Sequence, residues 1–292
     1  MAIMPTPTPL APIDPSTRLE SVDAVRGFAL IGVLLVNMYN FGAYSPEWTA
    51  TIDRIFASFM HIVFETKSLR LFALLFGFGF TLQMGKWTGP VAGRFLFYYR
   101  RLAILFVFGM AHALFFDGDI LMEYALLGCL LPFFSRVRTG VLLVLAIVLL
   151  AAFPVGNLLE SLQGGDPAWD AEESMTLVEL RAGHPYLGSI DEVFEENLAV
   201  IPPKIWAKWH GPESSLTIFA MFLLGICAGR NRMVQAPSQH KARIARLFRW
   251  CALSGVSFAL LEWLLQRYFG YAVFGGSTAT VPIQLLGDVL FT

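Results

Sequence analysis

Residues Arg100–Gly128 read RRLAILFVFGMAHALFFDGDILMEYALLG. Two apolar runs flank Asp117-Gly118-Asp119, two arginines precede the first run, and no basic residue follows until after the second. Gly118 permits a tight reversal, so the runs are expected to be antiparallel helices that turn around at an acidic corner. Further apolar runs of about the 20 residues a bilayer requires lie on both sides. They give helices near Gly27–Tyr44, Leu69–Gly85, Tyr98–Phe116, Ile120–Phe134, Gly140–Leu159, Ser214–Gly229 and Leu247–Leu265. The apolar stretch Ile52–Glu65 either extends the second of these or lies in the interface.

Composition agrees with this reading. The 292 residues are 56% hydrophobic and only 15% charged, with a mean hydropathy of +0.60, beyond the apolar content of soluble globular domains. Long alternating strand patterns are missing, which leaves a helical bundle rather than an outer-membrane barrel. The net charge of −1 removes any global basic field for nucleic acid. Cys129, Cys227 and Cys251 sit in apolar stretches without CxxC spacing, so neither a disulfide framework nor a zinc cluster is indicated.

Loop charges give direction, because short loops rich in Lys and Arg stay cytoplasmic. Lys86–Arg101 carries four basic residues and no acid, Arg136 and Arg138 flank the next inner loop, and Arg230–Arg249 carries six and no acid. The alternate connections are acidic: the Asp117–Asp119 turn, and Glu160–Glu213 with eleven acids against Arg181, Lys204 and Lys208. The expected fold is therefore all-α, a polytopic transmembrane bundle of about seven to eight membrane helices with a cytoplasmic N-terminus.

Residues 1–16, with five prolines and no basic residue, form a flexible tail without the charged start of a signal peptide. Residues 17–159 make a five-helix membrane core, and 160–213 an extracytoplasmic loop too long for a plain linker, read as a short cap. Residues 214–292 supply C-terminal membrane helices, of which the last, starting at Pro282, stops before it spans. The basic run Arg243–Arg249 is expected to anchor to anionic lipid at the inner surface.

Ionisable and amide side chains inside lipid are costly, so they are the first candidates for function. Arg26 opens the first helix behind Asp23, with Asn37 and Asn40 further along it. Either they line one interior face, or Arg26 snorkels and Asp23 caps. Glu65, Lys67 and Arg70 gather at the start of the second helix, with His61 one turn before Glu65. They form a substrate or proton site, or they neutralise one another. His112 stands before Asp117, Asp119 and Glu123. An aspartate bonding one imidazole nitrogen leaves the other to face a substrate, as general base catalysis requires. The plainer alternative is that Asp119 caps the next helix and His112 bonds a carbonyl. Walker, GxGxxG, HExxH and GxSxG motifs are absent in their required contexts, and Gly77-Phe78-Gly79 within an apolar helix reads as close helix packing rather than phosphate binding.

Leu19–Phe41 (LESVDAVRGFALIGVLLVNMYNF), Phe64–Phe80 (FETKSLRLFALLFGFGF) and Arg100–Gly128 together resemble the YeiB-like bacterial inner-membrane proteins, in the same order. Met221–Arg230 (MFLLGICAGR) is similar to the start of that family's C-terminal domain. The resemblance implies membership of a broad superfamily of transmembrane acyltransferases that includes the lysosomal heparan glucosaminide N-acetyltransferase. Such enzymes carry acyl groups from cytosolic acyl-CoA to sugar hydroxyls or amines across the membrane. The shared Asp-x-x-Arg-Gly start of helix one matches Asp23, Arg26 and Gly27. The histidine that follows helix one in the heparan-modifying branch has no counterpart in Gly42–Thr49, so His112 must supply the base here.

The expected function is acyl transfer to an envelope glycan or lipid acceptor. Acyl-CoA is the donor, no metal takes part, and membrane lipid is the surrounding partner. His112 acts as base, Asp117 or Asp119 orients it, Arg26 holds the donor's phosphates, and Asn37, Glu65, Lys67 and Arg70 line the passage. The alternatives are an ion-coupled transporter using the same charges and a noncatalytic membrane scaffold.

Overall fold

The computed structural model describes residues 20–42, 59, 63–64, 67–85, 90–116, 119–162, 189–195, 197–198, 212–231 and 237–269, and their regular structure is helical without a strand. The principal elements are α1 (Glu20–Gly42), α2 (Lys67–Gly85), α3 (Val91–Ala113), α4 (Leu121–Gly128), α5 (Leu131–Phe134), α6 (Thr139–Leu162), α7 (Pro212–Arg230) and α8 (Lys241–Phe269), the last preceded by a 3-10 turn, Pro237–His240. The helices expected from the apolar runs are present at their expected places, with one exception.

That exception is Ile120–Phe134, expected as one helix and found as two. Pro132 has no N–H to give the Gly128 carbonyl, and the Phe133 amide bonds Leu130 O at 3.1 Å. The carbonyls of Gly128 and Cys129 thus lose their helical partners. Tyr98 Oη donates to Gly128 O at 2.9 Å and Tyr99 Oη to Cys129 O at 3.2 Å, so side chains of α3 satisfy the break and lock α3 against α4.

Lys67–Gly85 is the one helix among the described residues long and apolar enough to cross a membrane, while Thr139–Ala152 and Ser215–Arg230 are apolar but shorter. The expectation of seven to eight spans meets two physical differences: α4 and α5 are short because of the Pro132 break, and α3 carries Arg94, Arg100, Arg101 and His112 within its length.

Around α2 the packing is built on small residues. A Cβ at Gly77 would overlap the Phe222 carbonyl oxygen and one at Gly225 the Leu74 carbonyl oxygen, so α2 and α7 cross backbone to backbone; Gly229 then meets Thr81 further along, so the two helices run parallel. This bears out the reading of the Gly77-Phe78-Gly79 run as helix packing. Gly32 admits Ser68 and sets α1 antiparallel to α2; Gly109 admits the backbone of Met122 and sets α3 antiparallel to α4. Phe80, Tyr98, Tyr124, Leu131, Phe222 and Leu223 fill the centre. A smaller cluster of Val22, Ala29, Leu75 and Phe78 joins α1 to α2.

These directions sort charge by end. The start of α1, the end of α2, the start of α3, the α5–α6 turn and the end of α7 share one end, which holds Arg26, Arg94, Arg101, Arg136, Arg138 and Arg230. The Arg230 guanidinium closes that end by donating to the carbonyls of Phe134, Ser135 and Val137 at 3.2, 2.7 and 2.6 Å. His112, Asp119, Glu123 and Ser215 lie at the other end.

Candidate functional site

α3 finishes at Ala113, and the amides of Phe115 and Phe116 both return to His112 O, at 3.0 and 2.9 Å. Beyond this tight end, Asp119 lies beside His112. His112 Nδ1 and Asp119 Oδ1 are 2.9 Å apart. The His112 side chain is 45% exposed, the Asp119 side chain 2%. As a carboxylate Asp119 only accepts, so Nδ1 carries the proton, and in the neutral ring the lone pair is on Nε2.

Asp119 also serves the backbone, since its Oδ2 accepts from the Met122 amide at 3.0 Å and satisfies one free donor at the start of α4. The two readings of this residue, orienting partner and helix cap, are both realised. The carboxylate is thereby held from two sides, which fixes the imidazole it bonds.

One turn beyond Asp119 on the same face of α4 stands Glu123, buried, and Ser215 Oγ on α7 donates to its Oε1 at 2.6 Å. Next to it Tyr124 Oη donates to Leu69 O on α2 at 2.8 Å, so α2, α4 and α7 are tied together beneath the His112 pair. Above it lies the described part of the long acidic connection. Ser189 and Glu192 form a reciprocal cap, with Ser189 N to Glu192 Oε2 at 2.8 Å and Glu192 N to Ser189 Oγ at 3.4 Å, that starts a helical turn over 190–195. Phe194 meets Phe115 edge-on at 4.8 Å and Asn197 Nδ2 donates to Leu114 O at 2.9 Å, which places this turn against the end of α3 that bears His112.

The other candidates are dispersed. Arg26 is at the opposite end, 3.3 Å from Asp23 and with its guanidinium over Gly79. Asn37 is half-buried on α1 and Asn40 lies in the last turn of that helix. Lys67 and Arg70 occupy the first turn of α2, both exposed. His61, Glu65 and Asp117 lie outside the described residues. Among the described residues no three His, Cys, Asp or Glu side chains gather as a metal site.

The chain is 30% identical to the uncharacterized protein YxaH of Bacillus subtilis (strain 168) over 275 residues, which are 86% of this chain and 68% of that protein. It is 38% identical to the uncharacterized protein YeiB of Escherichia coli (strain K12) over 120 residues, 38% of this chain and 29% of that protein. The chain belongs to the YeiB-like family. A further relative, the uncharacterized 39.9 kDa protein in the amylase 3'region of Bacillus acidopullulyticus, is 31% identical over 163 residues, 53% of this chain and 47% of that protein. No family model and no solved structure matches.

In this YeiB-like chain, two polar groups at the His112 end received no role from the sequence. Glu123 carried a local signal, since it stands four residues after Asp119 in an apolar run and so shares its face. Ser215 carried none, because only the crossing of α7 over α4 brings it there.

Proposed function

We propose that the protein is a multi-pass component of a bacterial inner membrane, N-terminus cytoplasmic, that moves an acyl group from cytosolic acyl-CoA to an envelope glycan or lipid. The observation that carries the reaction is the His112–Asp119 pair at 2.9 Å, its carboxylate buried and its imidazole partly exposed. Nε2 takes the proton from an acceptor hydroxyl or amine, and the acceptor atom attacks the thioester carbonyl. A C–O or C–N bond forms, the C–S bond breaks, and the CoA thiolate leaves. Asp119 holds the charged imidazole that results. Arg26, at the opposite and cytosolic end, binds donor phosphates, and Asn37, Lys67 and Arg70, on the parts of α1 and α2 nearer His112, line the outer part of the passage.

Support for the membrane comes from the outward faces. Phe28, Ile31, Leu34 and Met38 on α1, Leu96, Val107 and Phe108 on α3, and Val144 and Ile147 on α6 are all exposed. Contiguous apolar faces of this size are at home in lipid rather than in water. In that setting residues 17–159 form the membrane core, 160–213 the outer cap and 214–292 the remaining membrane helices.

Ion-coupled transport is the second reading, and one observation favours it: Asp119, just before α4, and Glu123, within it, are two buried acids four residues apart. Thermal unfolding of the purified protein with a panel of acyl-CoAs and envelope sugars separates the two. Acyl transfer requires stabilisation by an acyl-CoA, and transfer reduced by about 10² to 10⁴ in His112→Ala. No stabilisation by any CoA, or normal transfer by a folded His112→Ala protein, contradicts the proposal.

A further inference from the structure

Phe72, Phe76, Gly79 and Gln83 follow one another at helical spacing along a single stripe of α2. All four are half-buried, whereas Ala73, Leu75, Phe78 and Phe80 beside them are buried. The neighbours explain the difference. On one side Leu75 and Phe78 pack on Val22 and Ala29 of α1, and on the other Phe80 meets Tyr98 of α3 at 5.0 Å. The stripe is the strip of α2 between these two contacts.

At the basic end of the strip, cations approach from both sides. Arg26 of α1 lies over Gly79, where a Cβ would stand 3.1 Å from Nη2, so the absence of a side chain makes its place. Arg101 of α3 donates from Nη1 to Gln83 Oε1 at 3.1 Å. That bond fixes the amide, because only the oxygen can accept, and turns the Gln83 NH₂ away from Arg101. Gln83 Nε2 is buried and has no hydrogen-bond partner among the described residues, and the same is true of Arg94 Nε, whose Nη1 donates to Met84 O at 3.3 Å. Buried donors left unpaired cost stability, and an anion satisfies them. Arg26 is also paired with Asp23 at 3.3 Å.

Beyond the cations the strip turns apolar. From Gln83 to Phe72 it runs about 16 Å at the helical rise, the reach of a long acyl chain. It ends where Phe76, one face of which is stacked on Phe222 of α7 at 4.7 Å, and Phe72 meet Tyr124 at 5.8 and 5.9 Å, the residue next to buried Glu123. We infer that this strip binds a phosphate-headed acyl amphiphile, with the phosphate on Arg26, Arg101 and the Gln83 amide and the chain lying on Phe76 and Phe72. Acyl-CoA and an anionic phospholipid share that chemistry. The inference deepens the donor-binding part of the proposed function, in which Arg26 holds phosphates, and stands apart from the His112 reaction.

The test is equilibrium binding of palmitoyl-CoA and of lysophosphatidylglycerol to the purified full chain in uncharged detergent, against a palmitoylated sugar without phosphate. At least one phosphate amphiphile should bind about 10-fold or more tightly than the sugar ester. Arg101→Gln and Gln83→Leu should each remove about 10-fold, the scale of a charge-assisted or buried hydrogen bond, while Arg136→Gln, basic and at the same end but off the strip, should bind as wild type. Preference between the two amphiphiles names the source. No preference for phosphate, wild-type binding by both strip variants, or an equal loss in Arg136→Gln overturns the inference. Intact binding with no acyl transfer counts against the proposed reaction alone.

Discussion

Asp119 uses both carboxylate oxygens, one for His112 and one for the Met122 amide. This division makes catalysis and stability separable by substitution. In Asp119→Asn the amide oxygen still serves Met122, but the NH₂ then faces His112 Nδ1, which must become the acceptor. The ring proton moves to Nε2, and the base is lost. The expected outcome is near-normal thermal unfolding with acyl transfer lowered about 100-fold or more, whereas Asp119→Ala also costs about 1–2 kcal/mol through the abandoned amide. Equal activity in Asp119→Asn and wild type removes the orienting role.

His112 was legible as a neighbour of the acidic turn seven residues on, but the spacing left open whether Asp117, Asp119 or a backbone carbonyl takes its ring nitrogen. Arg26 was legible as a membrane-end charge, but its seat over Gly79 was not, since the sequence of α1 holds no record of which face of α2 it meets. Ser215 and Asn197 act across 92 and 83 residues of chain, and no local pattern encodes such distances.

At the scale of the elements, apolar runs located the helices because each must bury its backbone polar groups along its own length. The division of Ile120–Phe134 turned on Pro132, whose effect depends on whether side chains elsewhere can take the freed carbonyls. Tyr98 and Tyr99 do so, thirty residues away. The glycines divide in the same way. Gly77 sits against the Phe222 backbone, while a Cβ at Gly27 meets nothing within 4 Å. Gly77→Ala is therefore expected to destabilise by about 2 kcal/mol or more, because backbone cannot yield as a side chain can. Gly27→Ala, in an open helical position, should stabilise by about 0.4–1 kcal/mol. Unfolding curves of the two variants in the same detergent check this, and similar shifts in both contradict the backbone-to-backbone crossing of α2 and α7.

For the whole molecule, helix directions and loop charges give the same division. The packing of α1, α2, α3 and α7 collects most of the described arginines at one end, with Lys67 and Arg70 of α2 at the other, and the loop charges are the ground for proposing that the first end is cytoplasmic. The proposed chemistry depends on this separation: donor phosphates meet arginine at one face while His112 waits at the other. The most direct test places single cysteines, after Cys129, Cys227 and Cys251 are replaced, at Gly188 in the long acidic connection and at Gln235, after α7 in sequence. Intact cells are then treated with a membrane-impermeant thiol reagent. The account predicts labelling at Gly188 and protection at Gln235 until the membrane is opened; labelling at Gln235 with protection at Gly188 contradicts it.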